Sequence, residues 1–286
     1  MSKTVVLSGP FDDLRSIHVR LLQEARRLGQ VHVLLWSDEQ VRTQAGRPAK
    51  FPQEERLYLL EALRYVQLVT IPAAVFDPDT LPEAGPPPKG WPPNILWVTC
   101  ESEDSPGRRS FAKSRGLDYR VIRAAQLAGI LADDAPEPPH RGLALRPERK
   151  RPRVLVSGCF DWFHSGHVRF FEEASALGEL YVVVGHDENV RLLKGQGHPL
   201  FPQEERRYLV AAVRFVRQAL ISSGDGWLDA EPEIRTLRPN LYVVNDDGDK
   251  PEKREYCDAH GIGYVVLKRN PREGLLRRQS TDLRGF

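Results

Sequence analysis

The hexapeptide Phe51-Pro-Gln-Glu-Glu-Arg56 returns unchanged 150 residues later as Phe201-Pro-Gln-Glu-Glu-Arg206, and the chain around it repeats as well. Thr4-Val-Val-Leu-Ser-Gly-Pro-Phe-Asp12 follows the pattern of Arg153-Val-Leu-Val-Ser-Gly-Cys-Phe-Asp161, and Pro93-Asn-Ile-Leu-Trp-Val98 that of Pro239-Asn-Leu-Tyr-Val-Val244. A period this long is a whole domain's length, so the chain predicts a tandem pair and not a solenoid of small repeats. The expected division is a first domain over 1–132, a Pro-rich and basic linker over 133–152, and a second domain over 153–286. The two copies are expected to pair as an internal pseudo-dimer; further homo-oligomerisation stays open.

Within each copy, short Val/Leu-rich runs alternate with amphipathic stretches. In the second copy, strands are expected at 153–157, 180–185, 218–222, 241–245 and 263–268. Helices are expected near 165–177, 203–214, 227–237 and 251–260. This alternation predicts an α/β protein, with two tandem Rossmann-like, doubly wound parallel sheets flanked by helices. The Pro-rich stretch 82–93 reads as an insertion in the first copy.

With 41 basic and 39 acidic residues the formal charge is only +2, so there is no global field suited to nucleic acid. Three cysteines make no disulfide framework and suggest a reducing compartment. No apolar run approaches membrane-spanning length, so a cytoplasmic protein without a membrane partner is expected.

The segment that carries chemistry is Gly158-Cys-Phe-Asp-Trp-Phe-His-Ser-Gly-His167, set between a strand and a helix. That is where helix N-termini bind phosphate in α/β proteins. His164 and His167, three apart, fall on one side of the helix start and can reach one phosphorus. Gly166 between them leaves room for a phosphate to approach the backbone. Both imidazoles are expected in a cleft and not in the core. A Cys159/His metal site is the alternative, but no further Cys/His cluster completes it, and no protein metal site is expected.

This segment resembles the GxFDxxHxGH motif of the cytidylyltransferase branch of the nucleotidyltransferases. The two-copy organisation is similar to that of the ethanolamine-phosphate cytidylyltransferases, in which one copy is degenerate. The resemblance implies a transferase, with His164, His167 and Lys194 stabilising the transferring phosphoryl group. It implies nucleotide contacts from Gly158, Cys159, Phe160, Gly166, Asp246 and Arg269. Arg206 is implied as a phosphate ligand, although Arg56 persists in the degenerate copy, which leaves a structural role open. Ser280 and Thr281 match the family's closing Ser-Thr, with residues inserted before them. Trp227, Arg277 and Arg278 are candidates for the acceptor. Asp161 reads as a local turn-former.

The first copy has Arg15-Ser-Ile-His18 where the second has His164-Ser-Gly-His167, so it reads as a structural or regulatory domain without the chemistry. The implied reaction is Mg2+-dependent transfer of CMP from CTP to a phosphorylated alcohol or sugar, with release of pyrophosphate. An ATP-using adenylyltransferase and a non-catalytic nucleotide-sensing module are the alternatives.

Overall fold

The computed structural model describes residues 3–82, 91, 94–129 and 151–279. The chain divides into two compact units, Met1–Gly129 and Ile130–Phe286. Most of the expected linker, and the residues Ser280 and Thr281, lie outside the described residues.

The first unit runs β1 (Thr4–Gly9), α1 (Ser16–Leu28), β2 (Gln30–Leu35), α2 (Asp38–Ala45), α3 (Gln53–Glu61), β3 (Val66–Thr70), β4 (Ile95–Cys100), α4 (Pro106–Ser114), β5 (Asp118–Ile122) and α5 (Ala124–Leu127). The second runs β6 (Arg153–Gly158), α6 (Ser165–Leu177), β7 (Glu179–Val184), α7 (Asp187–Lys194), α8 (Gln203–Ala211), β8 (Val216–Ile221), α9 (Glu231–Leu237), β9 (Leu241–Asn245), α10 (Pro251–Ala259) and β10 (Gly263–Leu267).

Each unit is one five-stranded sheet, in the orders β3-β2-β1-β4-β5 and β8-β7-β6-β9-β10, and every pairing is parallel. The central strands carry buried runs, residues 5–9 in β1, 154–156 in β6 and 182–184 in β7, which is why they read as continuous apolar runs. Corresponding helices match in length: α1 and α6 have 13 residues, α2 and α7 have 8, α3 and α8 have 9.

Three boundaries differ from the sequence expectation. Lys194, expected in a glycine-bearing loop after a short helical turn, instead closes an eight-residue helix, with Gly195 beyond it at φ +86°, where a glycine at its C-terminus is favoured. The stretch expected as one helix from 227 begins with a 3₁₀ turn, Gly226–Leu228, and α9 starts at Glu231, ahead of Pro232. Helix α8 ends at Ala211, shorter than its apolar pattern suggested.

The second unit's core packs Leu155, Val183, Ile234, Tyr242 and Val244, and the first unit's packs Val6, Leu34, Ile95 and Trp97. Tyr242 brings its hydroxyl into that core against Ser157 Oγ at 2.5 Å, so the buried polar atom is satisfied.

Candidate active site

Strand β6 ends in a turn that folds back on itself. Phe160 adopts φ +52°, a left-handed conformation that costs a bulky residue roughly 1–2 kcal/mol. Its ring lies over Gly158, where an added Cβ would sit 2.9 Å from Phe160 Cζ and force that ring to move. In the first unit, Phe11 takes the same unfavourable conformation at φ +44°.

Long-range bonds offset that strain. Asp161 accepts from the backbone N–H groups of Leu200 at 2.9 Å and Phe201 at 3.2 Å. The aspartate therefore holds the turn, but across about forty residues and not through a local Asx bond. Gln203 Oε1 accepts from Asp187 N at 2.9 Å, capping α7. Arg206, fully buried, donates to the carbonyls of Phe201 (2.9 Å), Cys159 (2.5 Å) and Gly185 (2.7 Å), and pairs with Asp187 Oδ1 at 2.7 Å. The first unit has the same set. Arg56 donates to Phe51 O, Pro10 O and Trp36 O and pairs with Asp38, Gln53 caps α2, and Asp12 takes the N–H groups of Lys50 and Phe51. The expected contact of Arg206 with nucleotide is thereby corrected: its guanidinium is inaccessible and committed to main-chain carbonyls, and its task is to clamp the turn.

The two histidines stack, with ring centroids 3.9 Å apart, at the start of α6. His164 is the N-cap of that helix: its Nδ1 accepts from Gly166 N at 3.1 Å. A methyl group at residue 166 would lie 2.9 Å from His164 Cε1, so the glycine makes room for this imidazole. The expectation of a cleft is corrected for His164, which is wholly buried, and kept for His167, which is half-buried and lines a cavity. Burial, helped by Arg269 and Arg278, pushes His164 down to about 3. Burial, then His164, Arg269 and Lys194, hold His167 well below the ordinary imidazole value. Both rings are therefore neutral near pH 7. The buried Nδ1 of His167 has no hydrogen-bond partner among the described residues.

The cavity, about 380 Å3, opens at the carboxyl ends of β6, β7 and β9. Gly158, Cys159, Phe160, His167, Lys194, Trp227 and Arg269 of the expected site all line it. Burial raises the Cys159 thiol, which suits a wall and not a nucleophile. Trp227 is half-exposed beneath Lys250, whose Nζ lies 4.5 Å from the ring centroid. Asp246 is exposed and accepts from Asp247 N, while its neighbour Asp247 lines the cavity and pairs with Arg269. Gly166, Arg277 and Arg278 line a neighbouring shallow depression with Arg169, Arg269 and Arg272, so Arg269 borders both.

Among the lining residues that escaped the sequence reading are Asn189, Asp229 and Lys253. Asn189 locks the turn before α9 with a two-way bond to Gly226. Burial raises Asp229 and lowers Lys253, and each partly offsets the other's shift. Asp229 lies between β8 and α9 and Lys253 in the first turn of α10, with no motif around either; only the sheet order brings them beside β6 and β9.

In the first unit, Arg15 stands at the N-cap, and its backbone N–H donates to His18 Nδ1 at 3.0 Å. Ile17, 52% exposed, occupies the glycine's position.

Residues 155–271 match the model of a family described as cytidylyltransferase-like. An FAD synthase of Thermococcus kodakarensis is 35% identical over 43% of this chain and 83% of its own length. An FAD synthase of Methanopyrus kandleri is 40% identical over 41% of this chain and 78% of its own. The bifunctional protein HldE of Geobacter sulfurreducens is 34% identical over 56% of this chain but only 30% of its own.

Proposed function

The chain belongs to the cytidylyltransferase-like family, and from that premise we propose that its second unit moves a nucleotidyl group from a nucleoside triphosphate to a small phosphorylated acceptor. An acceptor phosphate oxygen attacks the α-phosphorus in line, the α–β bridging bond breaks, and pyrophosphate leaves. The observation that carries this reading is the stacked histidine pair at the N-terminus of α6, with His167, Lys194 and Arg269 on one cavity wall.

The protein's part is positioning and charge stabilisation. With Nδ1 of His164 accepting from Gly166, the proton of the neutral ring is on Nε2, which makes that atom a donor. Lys194 and Arg269 supply the positive charge that the neutral rings do not. Among the described residues no three carboxylate, histidine or cysteine side chains converge as a metal cage. The expected Mg2+ would come on the triphosphate, where it adds charge neutralisation.

We favour ATP over CTP as donor. Relatives matched over most of their length are named for making FAD, whose adenylate half must come from an adenylyl donor. CTP stays as the second reading because the family takes its name from cytidylyl transfer. Thermal melting with ATP, CTP, GTP or UTP plus Mg2+ separates them, since a selective ligand at 100 times its Kd adds about 2.7 kcal/mol. ATP alone raising the Tm, with pyrophosphate released once the acceptor is present, is the expected result. Stabilisation by CTP alone would reverse the donor, and nucleotide binding with no pyrophosphate from any phosphorylated acceptor would favour a sensing module.

A further inference from the structure

The first unit, although its histidine pair is gone, holds a larger cavity than the second: about 680 Å3 against about 380 Å3. It opens at the same topological position, the carboxyl ends of β1 and β4, where an open parallel sheet binds ligands. Its volume lies in the range of small-molecule sites. Leu7, Phe11, Leu21, Val98 and Leu127 give it apolar walls wide enough to cover a ring.

Its charges have the wrong sign for a triphosphate. Asp12 and Asp13 enter from the turn after β1, and Glu101 and Glu103 from the 3₁₀ turn after β4. The lining cations are Arg47 and Lys50, which already pair with Asp12 at 3.4 Å and Asp13 at 3.3 Å. His18 is held below the ordinary imidazole value by burial, so it adds no positive charge at neutral pH. Ile17 covers the helix start that a phosphate would approach.

We propose that this cavity binds a ribonucleoside that carries no phosphate. The apolar walls take the base. The carboxylate oxygens of Glu101 and Glu103 are acceptors complementary to the paired hydroxyl donors of a ribose. Glu101 already accepts from Ala124 N at 2.9 Å and Glu103 from Arg108 at 3.4 Å, but a carboxylate has about four lone-pair sites, so capacity remains. The same carboxylates repel a phosphorylated nucleoside, so the site rejects the second unit's substrate by charge.

The test is calorimetric titration of the full chain with adenosine, cytidine, guanosine and uridine, each with and without saturating ATP or CTP and Mg2+. One nucleoside should bind at one site per chain, and triphosphate should not displace it. Ala128→Trp, at an exposed rim position, should weaken that binding at least tenfold, and so should Glu103→Lys; both should leave triphosphate binding unchanged. Melting curves verify that each variant folds, and either one suffices. Displacement of the nucleoside by triphosphate, unaltered binding in the folded variants, or no heat from any of the four at millimolar concentration would overturn the proposal.

Discussion

Arg206 donates to the carbonyl of Cys159 at 2.5 Å, joining the first turn of α8 to the loop that presents the histidine pair. Arg56 makes the equivalent bond to Pro10 at 2.7 Å in a unit that lacks the pair. The clamp therefore belongs to the fold and not to the reaction.

Arg206→Met should unfold the second unit readily, at a cost of about 3–5 kcal/mol, because it strands the carboxylate of Asp187 and three carbonyls. Arg56→Met should do the same in the first unit. Urea denaturation measures both. A stable Arg206→Met protein with only a raised nucleotide KM would return the arginine to the binding site.

His167→Ala should lower turnover at least a hundredfold, on the order of 3 kcal/mol for a lost donor, with the melting temperature little changed. His164→Ala should lose turnover and also about 1 kcal/mol of stability, since it removes a helix cap. Single-turnover kinetics beside melting curves separate the two; equal stability in both variants would contradict the capping role.

Acid should weaken the protein through His164. The unfolded chain takes up a proton near pH 6.5 that the folded chain refuses until about pH 3, so stability is complete above pH 6.5 and is lost as pH falls. The loss from this one group reaches ~1.4 kcal/mol per pH unit. Urea midpoints from pH 7 to 5 should fall less steeply in His164→Gln; parallel slopes would show that the imidazole is not held neutral.

Arg269→Ala should raise the nucleotide KM roughly tenfold, the loss of about 1.5 kcal/mol expected for one charge-assisted bond. Its remaining affinity should depend less on salt than that of the parent. Steady-state kinetics at 50 and 300 mM salt, to order of magnitude a halving of the screening length, read both effects.

The fold was legible because parallel strands buried on both faces leave an unbroken apolar signature, as in Val154 to Val156. The turn was legible because Gly158, Phe160, Gly166 and the histidines are contiguous. Arg206 was harder to assign: its environment is assembled from Cys159, Gly185 and Asp187, which only the folded sheet brings together. The persistence of Arg56 was the signal that pointed to structure. Asp229 and Lys253 gave no signal, since nothing in their neighbourhoods distinguishes a cavity wall from a solvated helix face. Asp246 and Asp247 differ only in which way a 3₁₀ turn faces, and adjacent like residues do not encode that.

Asp161 and Arg206 tie the turn of the second unit to the main chain at 159, 185, 200 and 201, and Asp12 and Arg56 tie that of the first at 10, 36, 50 and 51. The turn and the histidine pair are thus set by separate positions in each unit. Placing histidine at 15 and glycine at 17 would supply the pair to the first unit, but the carboxylates at 101 and 103 would still repel a triphosphate.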